Sequence, residues 1–412
     1  MMSGRKATTN LRKGDFALSV CNPESLSPIG WHWIELNSIA TMATGHTPSR
    51  RHPEYWGGEI KWIRAADARK CDGSIINDTK ETINQLGIDN SAAVVLPKNT
   101  VCLSRSASIG YTVILGEEMA TNQGFVNWIC GKELEPKFLQ YIFVLENSFL
   151  KEIAYGTAHT TIYYPEVKAF YVCIPPIDEQ KRIVAKLDEC FEAIDKARAN
   201  VGKNLNNAKE LFQSQLNQIF SQKGDGWVDK KLGEVAEVIA GQSPKGKYYN
   251  DKGVGLPFYQ GKKLFGEKHL DEPNTWSSVT TKESYAGDIV MSVRAPVGDV
   301  NFNYHKKICI GRGLAGIRAG ETVNKDYLFY FLIHHKNKIV GNTGAVFNSI
   351  NKTQISNIII PMVDLAQQNA IVNQLDDLKS QTHSLESNYQ QELNALEELK
   401  KSILQKAFNG EL

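Results

Sequence analysis

Internal repetition constrains this chain more than any other feature. Gly30-Trp31 and Gly226-Trp227 stand 196 residues apart, and the same offset pairs Leu36 with Leu232, Ala40 with Ala236, Gly45 with Gly241 and Pro48 with Pro244. Farther on, the offset falls to 188. There Ser104-x-x-Ala107-x-x-Gly110 matches Ser292-x-x-Ala295-x-x-Gly298. Likewise Ile177-x-x-Gln180-x-x-Ile183-Val184-x-x-Leu187-Asp188 matches Leu365-x-x-Gln368-x-x-Ile371-Val372-x-x-Leu375-Asp376. At 189, Gly124, Leu139 and Tyr141 match Gly313, Leu328 and Tyr330. A period near 190 residues far exceeds the roughly 20–50 of a solenoid, so each copy has to be a domain with an attachment.

Within each copy the first part reads as a mixed α/β (α+β) domain. Short runs such as Val101–Leu103, Val113–Leu115 and Ile289–Val293 have strand character and are punctuated by Gly, Pro and Asn. The last part reads as one long helix. From Asp178 to about Gln222, apolar residues recur at Leu187, Phe191, Ile194, Val201, Leu205, Ala208, Phe212 and Ile219, a heptad seam interrupted by Arg198 and Gln215. From Asp364 to Phe408 the seam is Ile371, Leu375, Leu378, Leu385, Tyr389, Leu396 and Ile403. Unbroken, each helix of about 45 residues would be about 67 Å long, too long to bury in one small domain. The expectation is that the two helices pack antiparallel as a coiled coil, giving a pseudo-twofold repeat. The expected division is an N-terminal extension 1–29, a first domain 30–176, a central helix 177–224, a second domain 225–362 and a C-terminal helix 363–412.

Hydrophobic residues at 42% and charged residues at 22% are ordinary globular values. The longest apolar run, Tyr327 to Ile333, is far short of the ~20 residues that cross a bilayer, and no leader pattern is visible, so a cytoplasmic location is expected. The seven scattered cysteines include no CxxC pair and suggest neither a disulfide framework nor a zinc site. Net charge is only +2, yet its distribution is informative. Residues 177–222 carry seven Lys/Arg and seven Asp/Glu, and residues 364–412 carry four and eight, which leaves +6 on the rest of the chain. That bias suits globular domains that grip a polyanion.

Side chains able to hydrogen-bond base edges or phosphates cluster in both copies. In the first they are Thr47, Ser49, Arg50, Arg51, Lys61, Arg64, Arg105, Ser106, Asn122, Gln123, His159, Thr160, Tyr163 and Tyr164. In the second they are Ser243, Lys245, Lys247, Tyr248, Tyr249, Lys262, Lys263, Arg294, Arg312, Phe347, Asn348, Asn351 and Lys352. Taken singly, each could be a solvated surface residue; recurrence in both copies favours a shared role.

No catalytic constellation accompanies them. Gly241-x(4)-Gly246-Lys247 begins like a phosphate-binding loop, but Tyr248 stands where Ser or Thr has to hold Mg²⁺ and Pro244 removes a cradle N–H. The only Pro-Pro, Pro175-Pro176, has no amide or carboxylate ahead of it, as a DNA methyltransferase tetrapeptide requires. Glu59-x-Lys61 resembles the tail of a nuclease motif but lacks its Pro-Asp, and His334-His335, with no carboxylate or Cys partner at ligand spacing, reads as a pair of surface or helix-end histidines. No bound cofactor or metal is expected.

Each domain opens with Trp-x(4)-Leu-x(3)-Ala-x(4)-Gly-x-x-Pro and closes with Ile-Pro followed by Gln-x-x-Ile-Val-x-x-Leu-Asp. Together with Pro175-Pro176-Ile177-Asp178-Glu179-Gln180-Lys181-Arg182-Ile183-Val184 and the ending Ile403-Leu404-Gln405-Lys406-Ala407-Phe408-Asn409-Gly410-Glu411-Leu412, this pattern resembles the specificity subunit of type I restriction-modification systems, the HsdS family. The second copy departs from it only in having Met362-Val363-Asp364 in place of the double proline. The resemblance spans residues 30–412 and implies a non-catalytic reader of double-stranded DNA. Each target-recognition domain would read half of a bipartite, asymmetric sequence, and the helices would act as spacer and docking surface. It also implies two modification (methyltransferase) subunits as partners, which bind S-adenosylmethionine, and restriction subunits. A fused enzyme with its own catalysis and a coiled-coil scaffold are the alternatives.

Overall fold

The structure, a computed structural model, describes residues 17–21, 26–155, 160–222, 226–340 and 349–412, the side chains of 337–340 excepted. It separates into two compact units, residues 1–200 with 393–412 and residues 201–392.

In the first unit a five-stranded sheet runs in the order Ala40–Thr44, Phe125–Cys130, Val101–Ser104, Thr112–Leu115 and Ser74–Ile76, with only the last pair parallel. Val101–Ser104 and Thr112–Leu115 are buried at every residue, which is why Val101–Leu103 and Val113–Leu115 within them read as continuous apolar runs rather than alternating ones. The helix Pro136–Leu145 starts at a proline that fits the first helical turn and lays Phe138, Leu139, Ile142 and Phe143 into the core. Trp128 stacks there between Phe143 and Phe170, at centroid distances of 5.1 and 6.0 Å. A smaller sheet orders Glu81–Ile83, Trp56–Ile63 and Met119–Thr121.

The second unit repeats this plan. Its four-stranded sheet runs Ala236–Ala240, Leu314–Ala319, Ile289–Ser292 and Val300–Phe302, backed by the helix Lys325–Val340. The registers coincide through the sequence offsets: Ala40 pairs with Cys130 as Ala236 pairs with Ala319, and Val101 with Trp128 as Ile289 with Ile317. A slip of one residue would turn every inward side chain outward, so the shared register fixes the same core face in both copies.

The helix-start motif has a structural task in each unit. Gln180 is fully buried; its Oε1 accepts from Glu135 N at 3.0 Å, and its Nε2 donates to Glu133 O and Pro175 O, both at 2.9 Å. Gln368 repeats the set with Asn324 N, Thr322 O and Val363 O. Eight residues on, Asp188 and Asp376 accept the hydroxyls of Tyr141 and Tyr330. Burial first, and those hydrogen bonds second, push both phenols well above the ordinary tyrosine range.

The long helices are Ile177–Ser221 and Leu365–Phe408. In the first unit their ends run antiparallel: Arg182 reaches Leu412 O, Arg198 pairs with Glu397 at 3.2 Å and Asp195 with Lys400 at 3.2 Å. Phe408 packs on Trp31 and Phe138.

Four expectations are corrected. Residues 17–21 do not belong to an extension: Leu18–Val20 pairs with Phe170–Ile174, and Ala17, Leu18 and Val20 are buried core residues. The helices are not separate from the domains, because Ile183, Leu187, Phe191 and Ile194 belong to the first core and Leu216, Phe220, Val372 and Leu375 to the second. Part of the expected seam is also displaced, since Leu385 is exposed while Leu216 and Phe220 carry the burial. Finally, His334 is not a surface residue; it is buried, stacked on Phe220, with Nδ1 2.9 Å from Asn217 Oδ1.

Candidate nucleic-acid interface

In each unit, loops at one end of the main sheet are tied into a frame. Gly45 allows this in the first unit, because a Cβ there would overlap the carbonyl oxygen of Asn122; Gly241 does the same against Gly311 O. Five backbone bonds then recur in both copies. His46 N donates to Thr121 O at 2.9 Å, and Gln242 N to Ile310 O at 2.9 Å. Asn122 N donates to Ile63 O, and Gly311 N to Tyr259 O. Arg105 N donates to Gly124 O at 2.8 Å, and Val293 N to Gly313 O at 2.9 Å. Gly110 N donates to Ser104 O, and Gly298 N to Ser292 O. Ile162 N donates to Arg105 O at 2.8 Å, and Ile350 N to Val293 O at 3.0 Å. The side chains of Ser104 and Ser292 complete the turn, each donating within its own loop, to Ser108 O and Pro296 O. Gly110 and Gly298, at φ 94° and 91°, sit where a side chain would be strained.

What the frame displays differs between copies. In the first, Thr47 Oγ1 donates to Gln123 Oε1, Ser106 Oγ lies 2.9 Å from Thr161 Oγ1, and Thr160 O accepts from Ala107 N. Tyr163 stacks on Tyr155 at 4.9 Å. In the second, Ser243 Oγ accepts from Arg312 N at 3.1 Å, and Arg294 bridges Ser349 through the backbone. Arg294 and Arg312 are exposed, and neither guanidinium has an ion-pair partner among the described residues.

A family model of the type I restriction modification DNA specificity domain matches residues 28–201 and again 224–395. The chain belongs to that specificity family. Among curated members, a putative MjaX specificity subunit of Methanocaldococcus jannaschii is 34% identical over 272 residues, 60% of this chain and 62% of that one. The MjaIX specificity subunit of the same organism is 26% identical over 256 residues, 58% of this chain and 59% of that one. The chain thus spans about 60% of the length of these two relatives. Two solved structures match nearly end to end. One, from work on complex assembly and conformational transition of the type I R-M system, has a TM-score of 0.79 at 28% identity, covering 94% of this chain and 100% of the other. The HsdS subunit from Thermoanaerobacter tengcongensis has a TM-score of 0.65 at 27% identity, covering 94% and 99%.

In this specificity-family chain the structure sorts the sequence candidates. Thr47, Ser106, Asn122, Gln123, Thr160, Tyr163 and Tyr164 converge on the first frame, with Asn122 turned inward to accept from Gly124 N at 2.9 Å. Arg105 lies within the frame: its guanidinium donates to Ile162 O and Gln123 O, each at 3.2 Å, and stacks on Tyr164 at 4.2 Å. It holds two loops together and is a positioning residue. Ser49, Arg50, Arg51, Lys61 and Arg64 lie beside the smaller sheet. Ser49 Oγ accepts from Arg51 N. Arg50 makes a two-pronged pair with Glu81, at 2.7 and 3.0 Å, and stacks on Trp56 at 3.6 Å. Arg64 bridges Asp67 and Glu81, and Lys61 pairs with Glu117. The Arg50 hydrogen bond holds the Glu81 carboxyl below the usual carboxylate range. Of this group, the exposed Arg51 has no ion-pair partner among the described residues.

In the second unit Lys262 pairs with Asp299 at 2.8 Å, and Lys336 reaches the same carboxylate at 2.5 Å. Burial opposes ionisation of Asp299, but the two lysine hydrogen bonds outweigh it and keep the carboxyl below its usual value. Lys245, Lys247 and Lys263 are exposed, with Lys247 5.1 Å from the Tyr248 ring, while Tyr249 stacks on Phe258 and donates to Pro244 O. Asn351 is a helix cap: its Oδ1 accepts from Gln354 N, and its N–H donates to Gln354 Oε1, at the start of the helix Lys352–Ser356. Lys352 is exposed on that first turn. His159, Phe347 and Asn348 lie outside the described residues.

Ser349, which the sequence reasoning did not single out as a contact, occupies the place in the second frame that Thr161, part of the stretch 159–164, holds in the first. Among the described residues no group of three or more His, Cys, Asp or Glu is placed to hold a metal ion, and no helix is long and apolar enough to cross a membrane.

Proposed function

We propose that this chain is the sequence-reading subunit of a type I restriction-modification complex. Each unit presents one reader to double-stranded DNA, and the chain has no catalysis of its own. The supporting observation is the frame itself, in which one hydrogen-bonded loop scaffold is built twice and carries different exposed side chains each time. Phosphate contacts position a protein on DNA, whereas side chains on a fixed backbone at base edges specify sequence. Two scaffolds with unlike side chains suit a bipartite, asymmetric target. Methyl transfer and cleavage then fall to partners, two modification subunits binding S-adenosylmethionine and the restriction subunits, which the long helices dock.

Purified full-length chain, mixed with its modification subunits and a random duplex library, should enrich one bipartite sequence. By itself it should neither methylate nor cut DNA. A stoichiometric calorimetric signal between the isolated chain and S-adenosylmethionine would instead favour a fused enzyme.

A further inference from the structure

We infer that Gln123 and Arg312 are matched specificity-determining residues, Gln123 directing the first reader to adenine and Arg312, seconded by Arg294, directing the second to guanine. The inference rests on the DNA-reading function proposed above and goes further in assigning a base class to each unit.

The two residues are equivalent by the bonds around them rather than by alignment alone. Each sits between a residue whose N–H closes onto the neighbouring parallel strand, Asn122 onto Ile63 O and Gly311 onto Tyr259 O, and a glycine whose carbonyl accepts from the adjoining loop, Gly124 from Arg105 N and Gly313 from Val293 N. Each is also bound by the hydroxyl residue of the opening loop, Thr47 in one case and Ser243 in the other. The fixing differs in a way that matters chemically. Thr47 donates to the side-chain oxygen of Gln123, so the amide is oriented while Nε2 and the second lone pair of Oε1 stay available. That pair, one donor and one acceptor, is the complement of adenine N7 and N6 in the major groove. Ser243 instead accepts from the backbone N–H of Arg312, which pins the main chain and leaves the exposed guanidinium to project. A planar fork of donors is the complement of guanine O6 and N7.

The second matched pair repeats the contrast. Ser106 and Arg294 stand at the same bridge of the frame, opposite Thr161 and Ser349. The hydroxyl of Ser106 is tied to Thr161, whereas Arg294 is exposed with no ion-pair partner among the described residues. Several arginines elsewhere in the two units are engaged, Arg50 and Arg64 with Glu81 and Arg318 with Asp288 and Glu237, while Arg51 and Arg69 share the exposure of Arg294 and Arg312 but stand outside the two frames. Two exposed guanidiniums without an ion-pair partner among the described residues on one frame, against an oriented amide and a tied hydroxyl on the other, are a difference in recognition chemistry.

The test is selection from a random duplex pool by the full chain with its modification subunits, using wild type, Arg312→Gln, Arg312→Lys and Gln123→Arg. Arg312→Gln should lower preference for guanine at one position of one half-site by about ten- to hundred-fold and leave the other half-site unchanged. Gln123→Arg should move one position of the other half-site from adenine toward guanine. Arg312→Lys keeps the charge without the fork, so total binding should hold while guanine discrimination falls. Should Arg312→Gln fail to fold, the other two variants carry the test. A selected sequence unchanged in all variants overturns the inference, as does uniform weakening on every sequence with a shallower salt dependence, which marks a phosphate contact. Failure of the wild type to enrich any sequence overturns the DNA-reading function itself, and this assignment with it.

Discussion

Replacing Gln180 by Leu removes three hydrogen bonds from a fully buried amide without leaving a large void. At about 1 kcal/mol net per bond the loss is about 3 kcal/mol, and Pro175 O, itself buried, is left without that partner. For a unit of this size about 2–4 °C accompanies each kcal/mol, so the transition of the first unit should fall by about 6–12 °C. Gln368→Leu removes the matching bonds to Asn324, Thr322 and Val363 and should do the same to the second unit. Calorimetry gives the size of each shift, and hydrogen exchange read by mass spectrometry gives its place. Protection should drop around residues 133–136 and 175–180 in the first variant, and around 322–324 and 363–368 in the second. Shifts below about 2 °C, or the same peptides deprotected by both variants, would refute the idea that each motif clamps its own unit.

Further tests address charge and positioning. Because both phenols are pushed upward, the stabilisation from Tyr141 and Tyr330 is fully present below about pH 10 and is lost as pH rises through their folded values. Thermal melts of wild type should therefore steepen above pH 10 relative to a Tyr141→Phe, Tyr330→Phe double variant, and parallel curves would contradict it. Glu81 is held low chiefly by Arg50, so its contribution is present above about pH 4 and is lost as pH falls through the folded value; Glu81→Gln should flatten the acid limb of the melting curve. Arg105→Ala should cost about 2 kcal/mol, from two carbonyl contacts and a ring stack, and should speed exchange at residues 104–111 and 160–164. Unchanged exchange there would remove its positioning role.

Much of the architecture was legible in sequence because a constant offset preserves register. The strands that pair in the first copy are those whose counterparts pair in the second, and the offset changes only where the connecting loops differ. The candidate interface was legible as a region but not residue by residue. Which cations are neutralised depends on partners brought close by folding: Glu81 is 31 residues from Arg50, and Ile162 is 57 from Arg105. Two roles were readable in principle. Asn351-x-x-Gln354 has the spacing of a capping box, and the offset of 189 already places Arg312 opposite Gln123. The strand Leu18–Val20 was missed because three residues carry no periodicity, and only its pairing with Phe170–Ile174 reveals it.

The most direct test of the two-reader function is exchange of one whole reader. The graft has to run from residue 17 rather than 30, because Ala17, Leu18 and Val20 complete the first core, and to end at the Ile174-Pro175 junction before the long helix. The hybrid, assembled with the modification subunits proposed above as partners, would be assayed for the duplex sequence it selects. Two independent frames predict that one half of the bipartite sequence changes to that of the donor relative while the other half stays as it was. A sequence altered in both halves, or in neither, would contradict it.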